Sequence, residues 1–226
     1  MKIGILQAGH SPDEMRDGVG DYGELFTKLL DGHGFEFKIF SVVDGEFPSG
    51  IDVADGWLIT GSKFGAYEDH DWIPPLEDLI RDIRTADLPL VGVCFGHQII
   101  AQALGGKVEK FSGGWSVGNT EYDFGTETLA LNAWHQDQVT SLPTGAEVIA
   151  STDFCENAAF VIGEKILTIQ PHPEFTSEFI SGLIEHRGRG NVPDTQLDRA
   201  SETLSSPNDN IKFAARMAET LKTGAK

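Results

Sequence analysis

Pro89-Leu90-Val91-Gly92-Val93-Cys94-Phe95-Gly96-His97-Gln98-Ile99-Ile100-Ala101-Gln102-Ala103-Leu104-Gly105-Gly106 is the stretch from which the fold is read. Residues 89–93 make a short apolar run, as a fully buried strand does. Residues 97–104 carry helical spacing, and the glycine pair after them is a stop signal. Between the two runs lies a Gly-x-Cys-x-Gly pentad, the layout of a nucleophile elbow: a sharp strand-to-helix turn that lifts one side chain clear of the sheet. The flanking glycines suit a turn too tight for Cβ atoms. The helix start supplies unpaired N–H groups and a positive dipole end, both of which favour a thiolate. A buried structural cysteine in a glycine-rich turn has the same local pattern, so the rest of the chain decides between the two readings.

Working outward, the first half alternates strand-like and helix-like segments. Residues 3–7 are apolar and short, and residues 21–30 have helical spacing through Leu25, Leu29 and Leu30 with Asp21 as an N-cap. Strands follow at 35–40 and 56–60, then a helix at 74–85 that opens on Pro74 and Pro75 and carries Leu76, Leu79, Ile80 and Ile83 on one stripe. This rhythm predicts an α/β fold with a doubly wound, mostly parallel sheet and flanking helices. Ligands of such sheets bind at the carboxyl ends of strands, and Cys94 lies at one. From 107 to 170 the pattern changes to short strands and turns, which predicts a few antiparallel strands or hairpins added to the sheet. Helices at 177–186 and 208–221 close the chain, and the Gly-, Pro-, Asp- and Ser-rich stretch 188–207 reads as an exposed linker between them. A glycine-rich stretch at Gly18-Val19-Gly20 reads as turns. No internal repeat is visible, so residues 1–226 are expected to form one domain, with an extended C-terminal linker and helix from about 188.

The chain has 226 residues, with 35 acidic and 17 basic ones and a formal net charge of −18. Such a field disfavours nucleic acid and anionic membranes as partners. No apolar run approaches the ~18 residues of a membrane helix, and the start lacks the apolar run of a signal peptide. Cys94 and Cys155 do not make a disulfide framework, and a cytoplasmic, reducing setting is expected. Gly4-x-x-x-x-Gly9 lacks the lysine of a phosphate loop, and no Cys or His pair has zinc spacing, so no cofactor and no metal are expected.

A cysteine nucleophile needs a base, a group that orients the base, and donors for the oxyanion. Among seven histidines, His172 stands out in Thr168-Ile169-Gln170-Pro171-His172-Pro173-Glu174-Phe175. An apolar strand runs into it, and the two prolines force the chain out of the sheet. His172 therefore sits at a strand end, as Cys94 does, and Glu174 is placed to accept the other ring N–H. Cys155 has no elbow around it and reads as a half-buried structural residue. His97 reads as packing at the helix start; His10, His33, His70 and His186 read as solvent-facing. Trp115 lines a pocket mouth or covers the core.

Gly92-Val93-Cys94-Phe95-Gly96-His97-Gln98 followed by His172-Pro173-Glu174 resembles the class I, or triad, glutamine amidotransferase family. Trp134-His135-Gln136-Asp137-Gln138-Val139 and Leu58-Ile59-Thr60-Gly61-Ser62 resemble further family segments. The free-standing branch related to the glutaminase domain of GMP synthetase, which includes γ-glutamyl peptidases, looks most similar. The resemblance implies a flavodoxin-like amidotransferase fold and a Cys94-His172-Glu174 triad that forms a γ-glutamyl thioester. It implies an oxyanion hole at the backbone of Gly61 and Phe95, with Gln98, His135 and Asp137 facing the substrate. The family's oxyanion loop often carries a proline where this chain has Lys63. The implied reaction is hydrolysis of a γ-glutamyl amide, glutamine or another γ-glutamyl small molecule, to glutamate and ammonia or an amine. Three alternatives stand at this point: a subunit that delivers ammonia to a separate synthetase, a stand-alone γ-glutamyl peptide or amine hydrolase, and a catalytically silent interaction protein.

Overall fold

Four adjacent strands are buried on both faces and set the architecture of this computed structural model, which describes residues 1–223. They are β1 (Lys2–Leu6), β3 (Gly56–Ile59), β4 (Leu90–Val93) and β11 (Ile166–Ile169). Continuous apolar runs of this kind belong in the middle of a parallel sheet covered on both sides. With β2 (Glu36–Phe40), β10 (Ala159–Ile162) and β9 (Ala146–Ala150) they form a seven-stranded sheet in the order β2-β1-β3-β4-β11-β10-β9. The first five in this order run parallel; β10 and β9 are antiparallel additions.

Alternate side chains of the strands feed two cores. On one face Val91 and Val93 meet Phe26 of α2 (Tyr22–Leu29) and Phe213, Met217 and Leu221 of α7 (Asn210–Lys222). On the other, Trp57 and Ile59 meet Leu76 and Ile80 of α3 (Ile73–Thr85) and Phe95 and Ile100 of α4 (Phe95–Ala103). Asp21 caps α2 as expected. Its carboxylate accepts from the Tyr22 N–H at 2.8 Å, while the Asp21 N–H donates to the Glu24 carboxylate at 2.8 Å, completing a capping box.

The closest backbone packing lies around the elbow. A Cβ on Gly92 would fall 2.5 Å from the Gly96 carbonyl oxygen, and one on Gly96 would fall 2.3 Å from that of Ile59. These two glycines let β3, β4 and the start of α4 touch backbone to backbone.

Three regions differ from expectation. Between 107 and 170, β9 and β10 are antiparallel additions to the main sheet as expected and β11 is one of its parallel members, but β5 (Lys107–Lys110) pairs with β8 (Asp137–Ser141), and β6 (Ser116–Asp123) with β7 (Thr128–His135), as separate antiparallel pairs. Gly18 and Val19, read as turn residues, instead end the short helix α1 (Asp13–Val19), and Gly20 caps it. The stretch 188–207 is not simply an exposed linker, because it carries α6 (Asp194–Glu202), whose Leu197 and Ala200 are buried. Helix α6 lies so close to β6 that a Cβ on Gly118, at φ 84°, would sit 2.8 Å from the Ala200 Cβ. Before it, α5 (Ser177–Leu183) is capped by the Thr176 hydroxyl and runs into a π-helical turn at Ile184–Gly188. Among the described residues no helix is long and apolar enough to cross a membrane.

Docking of α6 has a measurable consequence. Leu197→Ala removes a fully buried side chain and is expected to lower unfolding free energy by about 2–5 kcal/mol in urea titration. An exposed linker leucine would change it by no more than about 0.5 kcal/mol.

Candidate active site

Cys94 leaves β4 with φ 53° and ψ −105°, a backbone conformation that residues with a Cβ rarely adopt. Its N–H donates to the Ile169 carbonyl of β11 at 2.8 Å, and the Gly96 N–H donates to the Thr60 carbonyl after β3 at 3.1 Å. The turn is thus tied to the carboxyl ends of both neighbouring strands. The Thr60 hydroxyl fastens that end in turn, accepting from the Ala8 N–H at 3.0 Å and donating to the Gly61 carbonyl at 2.9 Å.

Gly61 follows β3 and presents bare backbone to the Cys94 and His172 side chains. A Cβ there would lie 2.9 Å from His172 Cε1 and 3.8 Å from Cys94 Cβ. Among the described residues, neither the Gly61 nor the Phe95 N–H has an acceptor within the chain.

His172 follows β11. Its backbone N–H donates to the Asn132 carbonyl at 2.8 Å, and its ring N–H at Nδ1 donates to Glu174 Oε1 at 2.7 Å. The Phe175 ring lies flat against the imidazole, with centroids 3.8 Å apart and planes 3° from parallel. Asn132 and Asn210 both donate side-chain N–H bonds to the Phe175 carbonyl, at 2.9 and 3.0 Å. His172 and Glu174 are both buried. Burial pulls the His172 pKa down, but the charges of Glu174 and Cys94 and hydrogen bonding to both outweigh it and raise it to about 10. The imidazole therefore keeps its proton at neutral pH.

A cleft of about 410 Å³ opens in front of Cys94 and His172, with Gln98, His135 and Asp137 on its wall. The Gln98 amide donates to the Asp137 carbonyl at 3.0 Å and to Gln170 Oε1 at 3.1 Å, so its nitrogen is committed to the protein. Burial pushes the His135 imidazole down to about 3, assisted by the His172 charge and opposed by a backbone contact at Asp137. The ring is therefore neutral. With Nδ1–H turned to the Asp137 carbonyl at 3.3 Å, the buried Nε2 is an acceptor with no partner among the described residues. Burial raises the Asp137 carboxyl, against the lowering influence of the Tyr67 hydroxyl and of Lys110.

The site residues named from the sequence thus gather around one cleft. Sequence reasoning missed Tyr22, Tyr67, Lys110, Trp134 and Arg187, which also line it. Trp115 does both things considered for it, lining the cleft and packing against the cluster of Phe175, Phe179 and Leu183. His10 is not simply solvent-facing, for it bridges Asp21 at 2.6 Å and Asp44 at 3.0 Å on the cleft rim. His97 packs on Phe160 and shares a 2.8 Å hydrogen bond with the Thr168 hydroxyl. Cys155 is fully rather than half buried, and burial pushes its thiol up to about 12.

Residues 45–181 match the glutamine amidotransferase class-I family. The chain is 33% identical over 211 residues to γ-glutamyl peptidase 4 of Arabidopsis thaliana, covering 86% of this chain and 84% of that one. It is 30% identical over 243 residues to a glutamine amidotransferase-like protein of Schizosaccharomyces pombe, covering 97% and 98%. A crystal structure of a glutamine amidotransferase from Methylobacillus flagellatus superposes with a TM-score of 0.77 at 24% identity, over 99% of this chain and 92% of the other. Sequence and fold agree that the chain belongs to the class I glutamine amidotransferase family.

Proposed function

We propose that the protein hydrolyses γ-glutamyl amides through a γ-glutamyl thioester on Cys94. The observation that carries this reading is the meeting of Cys94 and His172 at adjacent strand ends, with Glu174 bonded to the far side of the imidazole at 2.7 Å. Sulfur attacks the amide carbonyl carbon, and the oxyanion is held by the Gly61 and Phe95 N–H groups. His172 gives a proton to the leaving nitrogen, so ammonia or an amine departs. It then takes a proton from the water that attacks the thioester, so the S–C bond breaks, glutamate is released and the Cys94 sulfur is freed beside a protonated His172. Glu174 holds the tautomer and orientation of His172 and stabilises its charged form. Gln98, His135 and Asp137 hold the glutamyl end, the open His135 Nε2 and the Asp137 carboxylate serving as acceptors for an ammonium group.

A stand-alone γ-glutamyl peptide or amine hydrolase is the form of this activity we favour, because the chain matches a γ-glutamyl peptidase over 84% of that protein's length. An ammonia-delivering subunit would instead require an added synthetase for turnover. A working thiol suits a reducing compartment, so a cytoplasmic location completes this reading.

A thiol-reactive glutamine analogue at neutral pH should label Cys94 and spare Cys155, as read by peptide mass spectrometry. Cys94→Ala should lower glutamate release from γ-glutamylglycine by about three orders of magnitude or more. Labelling of Cys155 alone would remove Cys94 from the reaction. The electrostatics give a second test. In an NMR titration the His172 ring should lose its proton near pH 10, and Glu174→Gln should lower that midpoint. Because the folded value lies above the unfolded value of about 6.5, the stability this pair contributes is fully present below about pH 6.5. It is lost as pH rises towards about 10. A wild-type midpoint near the unfolded value would contradict the assignment.

A further inference from the structure

Arg187 is a free cation inside the cleft of a strongly anionic chain. It sits on the π-helical turn, half-buried on the cleft wall, and among the described residues its guanidinium has neither a hydrogen-bond acceptor nor a paired carboxylate. Two residues on, Arg189 is exposed and bonded to Asp194 at 2.7 Å. The other cations of the cleft are placed differently. Lys63 lies over the Phe64 ring at 5.1 Å, and the charge of Lys110 acts on Asp137, in the acidic corner that also holds Glu68.

Arg187 stands on the side of Tyr22 and Phe175, for it follows Leu183 and Ile184, which pack with both rings in one apolar cluster, and Tyr22, Phe175, Leu183 and Arg187 all line the cleft. Tyr22 packs against Phe175 with centroids 6.0 Å apart, and Phe175 is the ring stacked on His172. The leaving nitrogen must depart towards His172, its proton donor, so the leaving half of a substrate lies on the side where Arg187 stands. The turn that carries Arg187 is built in from behind. Asn191 donates to the Arg187 carbonyl at 3.0 Å, and Gly188 abuts α6 so closely that a Cβ there would lie 2.7 Å from Leu197 Cδ2. Isolated π-helical turns recur at functional sites, and a guanidinium presents a planar fork that matches a carboxylate.

We propose that Arg187 anchors a free carboxylate on the leaving half of the substrate, which makes γ-glutamyl amino acids and short γ-glutamyl peptides, rather than glutamine, the substrate class of this site. The assignment rests on the hydrolase reading above. The C–N bond breaks as the S–C bond to Cys94 forms, and the amine takes its proton from His172. Water then forms the new C–O bond as S–C breaks, its proton passing to His172 and the bonding pair returning to sulfur, which restores the starting state. The amino acid leaves with its carboxylate unchanged.

The test compares kcat/KM for γ-glutamylglycine, γ-glutamylglycinamide and glutamine in wild type, Arg187→Gln and Arg187→Lys. Wild type should prefer the acid to the amide by about tenfold to a hundredfold, the range of a charge-assisted hydrogen bond. Arg187→Gln should bring that ratio close to one, with Arg187→Lys between them. An equal loss on all three substrates would assign Arg187 to the glutamyl carboxylate or to folding and overturn the proposal, as would a wild-type ratio near one. No turnover of any substrate by wild type, with Cys94 unlabelled, would remove the hydrolase reading and this assignment together.

Discussion

The strained turn at Cys94 is the constraint on which the rest of the site depends. A residue with a Cβ held at φ 53° costs on the order of 1–3 kcal/mol and persists only where its surroundings over-determine it. Here the surroundings are backbone. The Cys94 N–H is taken by β11, the Gly96 N–H by the end of β3, and two glycines allow these chains to approach without side chains between them. Those strands carry Gly61 and His172 on their extensions. The contacts that hold Cys94 in a disfavoured conformation therefore also set where its partners stand, and three short loops converge without any of them being rigid alone.

Environment separates residues of the same type. Both cysteines are buried, yet Cys155 lies among apolar neighbours where its thiol is held neutral, whereas Cys94 faces a protonated imidazole. The histidines divide in the same way. His97 and His135 are held neutral mainly by burial, while His172, equally buried, is held charged by its neighbours Glu174 and Cys94. Burial strengthens whichever charges a site contains, so a carboxylate next to the ring reverses the effect of the same dry surroundings.

The sheet was legible because β1, β3, β4 and β11 are apolar along almost their whole length, a signal that needs no knowledge of partners. Helix α6 was not, because it buries only Leu197 and Ala200 and its remaining residues are those of a solvated loop. The pairings β5–β8 and β6–β7 depend on tertiary neighbours that no local pattern names. At the site, the elbow and the proline-flanked histidine mark their own places through backbone chemistry. Arg187 carries no such mark. Arg189 shares its composition and its segment yet turns to Asp194 and solvent, and only the π-helical turn separates the two.

The Phe175 carbonyl accepts from Asn132 on β7 and from Asn210, the first residue of the last helix. The loop that carries His172 and Glu174 is therefore fastened by a residue near the C-terminal end of the chain. During synthesis Cys94 and His172 leave the ribosome well before Asn210 does. The nascent chain thus has the Asn132 amide before the loop itself, whereas the second amide reaches the Phe175 carbonyl only when α7 docks. The loop is held from both sides by chain made before it and chain made after it, so its full set of contacts belongs to the folded whole and to no contiguous segment.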